Sequence, residues 1–208
     1  MNMKNVVASL LMSIVATHAF AQDAKPTKAQ TIEYIQSNYP GDFIYLAAEK
    51  TDNHRMSAHG EITDLEISFV GTRLTASYHD KVLKTYISPE ITNLNEVDRD
   101  ETRVISFDLK DVESIEVGWN WIVGDVTYKD ANDTRLFPMY LAFNAAGKKP
   151  LFTMGKDGNT PESLAQVMIP FTTTEDIDAA VGEIKDSQMY KAFEHLRKLS
   201  GAPEPIRF

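Results

Sequence analysis

The 208-residue chain contains no cysteine. Disulfide-stapled scaffolds, thiolate-ligated zinc or iron–sulfur centres and thiol nucleophiles are thereby excluded. Basic residues are in deficit: 21 Lys and Arg stand against 30 Asp and Glu, a formal charge of −9. That balance argues against nucleic acid as a partner, because phosphate backbones need a basic footprint. There is no Gly-x-Ser-x-Gly elbow to present a serine nucleophile. There is also no phosphate-binding loop, since no serine or threonine follows the lysine in Gly155-Lys156-Asp157-Gly158. With 43% hydrophobic and 25% charged residues, the remaining composition is that of an ordinary globular chain.

The N-terminal apolar run, Val6 to Val15, is about half of the ~20 residues that a membrane-spanning helix needs. Lys4 before it and Ala19-Phe20-Ala21 after it complete the pattern of a secretory signal over residues 1–21, with cleavage expected after Ala21. No integral membrane span is expected once it is removed. A secreted chain without disulfides suits a bacterial envelope, so the expected location is the periplasm, or outright secretion.

Residues 22–42 read as a leader and a helix. Thr27 and Gln30 have capping-box spacing, Ala29, Ile32, Ile35 and Tyr39 recur at helical intervals, and Pro40-Gly41 stops the run. From Phe43 to Phe171 the apolar period falls to two. Leu65–Phe69 should return as Leu74–Tyr78 through a turn at Gly71, and about seven strands are expected in all. Polar, acidic Asn93 to Glu101 reads as a surface loop. A short helix is expected through Ile177 and Val181 until Gly182 interrupts it. A better one runs from Ser187 to Leu199, with Met189, Ala192, Phe193, Leu196 and Leu199 on one face and Lys191, Glu194, Arg197 and Lys198 opposite. Connections too short for crossover helices favour antiparallel pairing. The fold class is therefore mainly β with flanking helices (α+β): a single domain over residues 43–201 closed by the last helix, followed by a flexible tail over 202–208.

A strand, then Phe107-Asp108-Leu109-Lys110-Asp111-Val112-Glu113-Ser114-Ile115, further strands and a final Tyr190-Lys191-Ala192-Phe193-Glu194-His195-Leu196 helix resemble the element order of pleckstrin-homology-like and GRAM-like barrels. The resemblance spans about Ile62 to Leu199. It implies a strongly bent antiparallel barrel or sandwich plugged by the C-terminal helix. The N-terminal helix is extra, and the basic headgroup cluster of the membrane-binding members is missing near Leu65 to Asp80.

Among candidate sites, Trp119 and Trp121 alternate on one strand, with Tyr128 following, and could form an aromatic platform for a ligand or partner. Packed into a core, the same rings would be structural. His54 and His59, with Glu61 and Asp64, have the donor types of a zinc site but neither helical nor strand spacing, so they read first as solvated loop residues. His79 and Asp80 are adjacent, and adjacent strand residues face opposite ways. His195 reads as a boundary residue of the last helix. No catalytic residue, metal or cofactor is required. The resulting expectation is a non-catalytic envelope domain that binds a protein or small ligand through the aromatic strand. The alternatives are a periplasmic carrier enclosing an apolar ligand and a metal-dependent or histidine-based hydrolase.

Overall fold

Thr27 turns the chain into its first helix. In the computed structural model, which describes residues 25–50, 55–87, 94–119, 137–174 and 176–204, the Thr27 hydroxyl accepts from the Gln30 amide. The Gln30 side chain accepts in return from the Thr27 amide, closing the expected capping box. Helix α1 (Lys28–Asn38) buries Thr31 and Ile35 and gives way at Tyr39. The Tyr39 hydroxyl donates to the Pro170 carbonyl at 2.7 Å, and its ring meets Phe171 and Phe193 edge-on. A helix this short is marginal alone, and these contacts dock it.

Nine strands are found among the described residues: β1 (Phe43–Lys50), β2 (Arg55–Val70), β3 (Arg73–Ile87), β4 (Leu94–Asp108), β5 (Val112–Trp119), β6 (Phe137–Ala145), β7 (Phe152–Lys156), β8 (Glu162–Leu164) and β9 (Gln166–Thr174). Six pair antiparallel in the order β1-β2-β3-β4-β7-β8, and three as β5-β6-β9. Helices α2 (Ile177–Asp186) and α3 (Gln188–Leu199) follow the last strand. The protein is thus mainly β, two antiparallel sheets with flanking helices. No ladder joins the two sheets among the described residues, so they are open, bent sheets and not a closed barrel. No helix among the described residues is long and apolar enough to cross a membrane.

The expected hairpin is present but far longer. Strands β2 and β3 run on from the two-residue turn Gly71-Thr72, where Gly71 takes the positive φ of 66° that such a turn favours. On β2, Thr63 pairs with His79 and Glu66 with Ser77, so one residue is extra. Asp64 sits in this bulge at φ 54°, and the Leu65 amide donates to the Asp42 carboxylate. The bulge bends the strand while keeping Ile62, Leu65 and Ile67 on the inner face.

Three expectations are corrected. The acidic stretch read as a loop over 93–101 belongs, from Leu94 onward, to β4. Helix α2 passes through Gly182 and ends only at Asp186, its start fixed by the Asp176 carboxylate accepting from the Ala179 amide. On α3, Arg197 is buried and Leu199 is 44% exposed, the reverse of the amphipathic assignment. The core lies where both sheets meet α3. Phe107 packs on Phe143 and Phe152 at 4.9 and 4.8 Å between ring centres, and Phe143 meets Phe193 edge-on at 5.6 Å.

Candidate functional site

The long strands carry a polar centre on their inner face. Pairing puts Tyr45 opposite Gly60, Gly60 opposite Val82, and Val82 opposite Arg99. One row along, Ile62 faces Asp80 and Asp80 faces Glu101, and beyond them Tyr78 faces Arg103. Strand alternation then turns Tyr45, Tyr78, Asp80, Arg99, Glu101 and Arg103 to the same side. Gly60 has no side chain, and the Tyr45 ring occupies the space above it.

Asp80 is 1% exposed. Its Oδ2 accepts from Arg99 Nη1 at 2.7 Å and lies 3.6 Å from Arg103 Nη2, while its Oδ1 accepts from the Tyr45 hydroxyl at 3.4 Å. Glu101 Oε1 accepts from Arg103 Nε at 2.6 Å and Nη2 at 2.5 Å. Two carboxylates and two guanidiniums therefore cancel. Burial works against the Arg99 charge, but Asp80 outweighs it and holds the group above its ordinary value. The same holds for Arg103, with burial opposed by Tyr78, Asp80 and Glu101. Burial, and after it the Asp80 charge, pushes the Tyr45 phenol far up.

Tyr140 lies on the central strand of the smaller sheet. It is 3% exposed, and its phenol is held well above the usual value by burial, then by Tyr45 and Asp80. Its hydroxyl has no hydrogen-bond partner among the described residues. Such a group costs free energy comparable to a lost hydrogen bond. Arg99 and Arg103 keep 20% and 15% of their side-chain surface in contact with solvent, so the centre can be approached from outside. Arginine does not donate its proton near neutrality. The arrangement suits recognition of hydrogen-bond acceptors.

Gly118 pairs with Tyr140, and Trp119 is the last described residue of β5, in register with Met139. Trp121 and Tyr128 lie outside the described residues, as does His54. His59 and Glu61 sit on β2, a strand and not the expected loop, half-exposed and 4.0 Å apart, while Asp64 occupies the bulge. No three His, Asp or Glu side chains converge as metal ligands among the described residues. His79 and Asp80 do face opposite ways. His79 Nε2 instead pairs with Asp100 on β4 at 2.9 Å, and Nδ1 lies 3.4 Å from the Thr102 hydroxyl. This pair sits on the solvent face of the large sheet.

A concavity lies between α1 and α3. It is a half-open cleft of about 190 Å³ lined by Pro26, Thr31, Tyr34, Lys191, Ala192 and His195. Ligand pockets usually exceed ~300 Å³, so this cleft is sized for a single side chain. His195 is the expected boundary residue, its Nε2 lying 2.8 Å from the Pro26 carbonyl.

Sequence reasoning missed Arg99, Glu101 and Arg103. The signal that could have found them is the alternation that carries positions 99, 101 and 103 in phase with Ile105 and Phe107. Comparison of the chain with protein-family models, curated proteins and solved structures finds no match.

Proposed function

We propose that this chain is a non-catalytic binding domain of the bacterial envelope that takes a small polar ligand at the tyrosine-rimmed centre around Asp80. The observation that carries the reading is the Asp80 centre itself, a buried carboxylate paired with two guanidiniums that keep 20% and 15% of their side-chain surface in solvent, together with the Tyr140 hydroxyl, buried and without a hydrogen-bond partner among the described residues. The signal-like residues 1–21 support the envelope location. Bent antiparallel sheets with a C-terminal helix support the pleckstrin-homology-like comparison at the level of architecture. The packed Phe107, Phe143, Phe152 and Phe193 rings weigh against an enclosed apolar ligand, because they fill the space that ligand would take.

Native mass spectrometry of protein isolated from the envelope tests this reading. A non-covalent small-molecule adduct should be present and should be lost in Tyr140→Phe. Protein recovered wholly free of adduct, or an adduct retained in that variant, would count against it.

A further inference from the structure

The face shared by helices α1 and α3 runs against the charge of the chain. Apart from the buried Arg197 and its partner Glu194, the two helices and the residue before Pro26 carry Lys25, Lys28, Lys191 and Lys198 against Glu33 alone, in a chain of −9. Lys191 lines the cleft between the helices. Lys28 stands three residues before Thr31 and shares its face of α1, whereas Glu33, two residues after Thr31, falls on the far side. Lys25 and Lys28 have no ion pair among the described residues. Lys191 and Lys198 lie 3.7 and 3.9 Å from Asp186 and Glu204, but those carboxylates are 89% and 72% exposed and neutralise them only weakly.

The cleft gives this cationic face its specificity. His195 Nε2 lies 2.8 Å from the Pro26 carbonyl and ties α3 to the entrance of α1, so the walls are preformed. The Thr31 hydroxyl is spent on the Thr27 carbonyl at 2.8 Å. With Pro26, Tyr34 and Ala192 the interior is predominantly apolar. At about 190 Å³ it has room for one benzene-sized group, since an apolar cavity of ~150 Å³ takes up benzene. Tyr34 favours an aromatic ring as that group. A membrane surface is the poorer match, because it takes up protruding apolar side chains and a cleft is their inverse. We propose that the α1–α3 face docks an acidic segment of a partner protein, which seats one phenylalanine side chain in the cleft and sets its carboxylates against Lys25, Lys28 and Lys191. This surface shares no residue with the Asp80 centre and does not depend on the ligand read there. The contact is smaller than a permanent interface, so the association is weak and reversible.

An acetylated and amidated Asp-Glu-Phe-Glu-Asp peptide is the probe, titrated to millimolar concentration into nitrogen-15-labelled protein and followed by amide NMR shifts. Amides of α1 and α3 should shift saturably. The same peptide with alanine for phenylalanine should bind about tenfold or more weakly, the usual worth of burying that side chain. Lys28→Glu places an acid in the first turn of α1, where it suits the helix, so the fold should hold while binding weakens. Lys191→Glu should weaken binding further, and both losses should shrink as salt is added. Ala192→Phe should fill the cleft from α3 and abolish the preference for the phenylalanine peptide. Should that variant fail to fold, the alanine peptide and the charge reversals still decide. No saturable shift, equal binding of the two peptides, or binding unchanged by both reversals would overturn the proposal. Binding to phosphatidylglycerol vesicles without peptide binding would overturn it in favour of a membrane surface. Concentration-dependent dimerisation lost in Ala192→Phe, again without peptide binding, would overturn it in favour of a second copy of the chain.

Discussion

The Tyr45 ring lies across Gly60 on the neighbouring strand, so close that a Cβ at position 60 would fall within the ring. This contact carries the Tyr45 hydroxyl to Asp80. Glycine inside a strand ordinarily costs about 0.5–1 kcal/mol relative to alanine, so Gly60→Ala on an unremarkable strand would stabilise. Here overpacking should win and destabilise by about 1–3 kcal/mol. In the Tyr45→Ala background the added methyl should cost nothing or help. A double-mutant cycle in urea melts measures the reversal of sign, and a stabilising Gly60→Ala in the wild type would show that the ring does not occupy that space.

Local signals in the sequence were legible where one residue type has one physical use. The Thr27–Gln30 box, the Pro40-Gly41 stop and the Gly71 turn each stand where spacing put them. Strand β4 was hidden because its inward positions 99, 101 and 103 hold charges. Arg99 and Arg103 are made tolerable there only by Asp80 and Glu101, and that pairing spans strands and leaves no local trace. The same reason misplaced Arg197. Helical periodicity sorts residues by type, and a guanidinium held by carbonyls outside its own helix defeats it.

Arg197 is 1% exposed. Its Nη1 donates to the Pro203 carbonyl at 2.6 Å and to the Val112 carbonyl at 3.4 Å, while Nε and Nη2 donate to Glu194 Oε2. One side chain thus ties the residues after α3 and the start of β5 to the last helix. Arg197→Ala should cost about 3–5 kcal/mol. Periodicity made Glu194 a bystander worth under ~0.5 kcal/mol, but as the counter-charge of a buried guanidinium its loss should cost about 1–3 kcal/mol. Leu196→Ala, fully buried beside it, should cost about 2–5 kcal/mol as a reference. Urea melts of the three variants check the order, and a neutral Glu194→Ala would mean that Arg197 is satisfied by carbonyls alone.

Alkaline pH should unfold the protein through its phenols. Tyr39, Tyr45, Tyr78 and Tyr140 all have raised values, burial being the main cause in each. A raised folded value means that the native state keeps protons which the unfolded chain releases near the ordinary value of 10.0. Their contribution is therefore fully present below pH ~10 and is lost as pH climbs through the folded values. Absorbance at 295 nm and circular dichroism during one pH titration check this. The four buried tyrosines should ionise only together with loss of the β-sheet circular dichroism signal. All eight tyrosines of the chain titrating together in folded protein would contradict the buried centre.

Asp80 sets the charge balance of that centre. Among the described residues it is the sole carboxylate within 3 Å of Arg99, and it also lies 3.6 Å from Arg103. Asp80→Asn keeps the shape but leaves two part-buried guanidiniums facing Glu101 alone. Losing one partner of a buried pair costs ~3–5 kcal/mol, and the residual exposure of Arg99 and Arg103 lets water screen part of it, so about 2–3 kcal/mol is expected. Arg99→Met alone should also destabilise, because it strands a carboxylate that is almost wholly buried. Combining the two removes one charge of each sign, and the double variant should recover at least about 1 kcal/mol relative to additive losses. Guanidinium chloride would screen the interaction under study, so the cycle belongs in urea at low salt. Strictly additive losses would mean that Asp80 and Arg99 do not depend on one another, and the paired centre drawn from their 2.7 Å contact would fall.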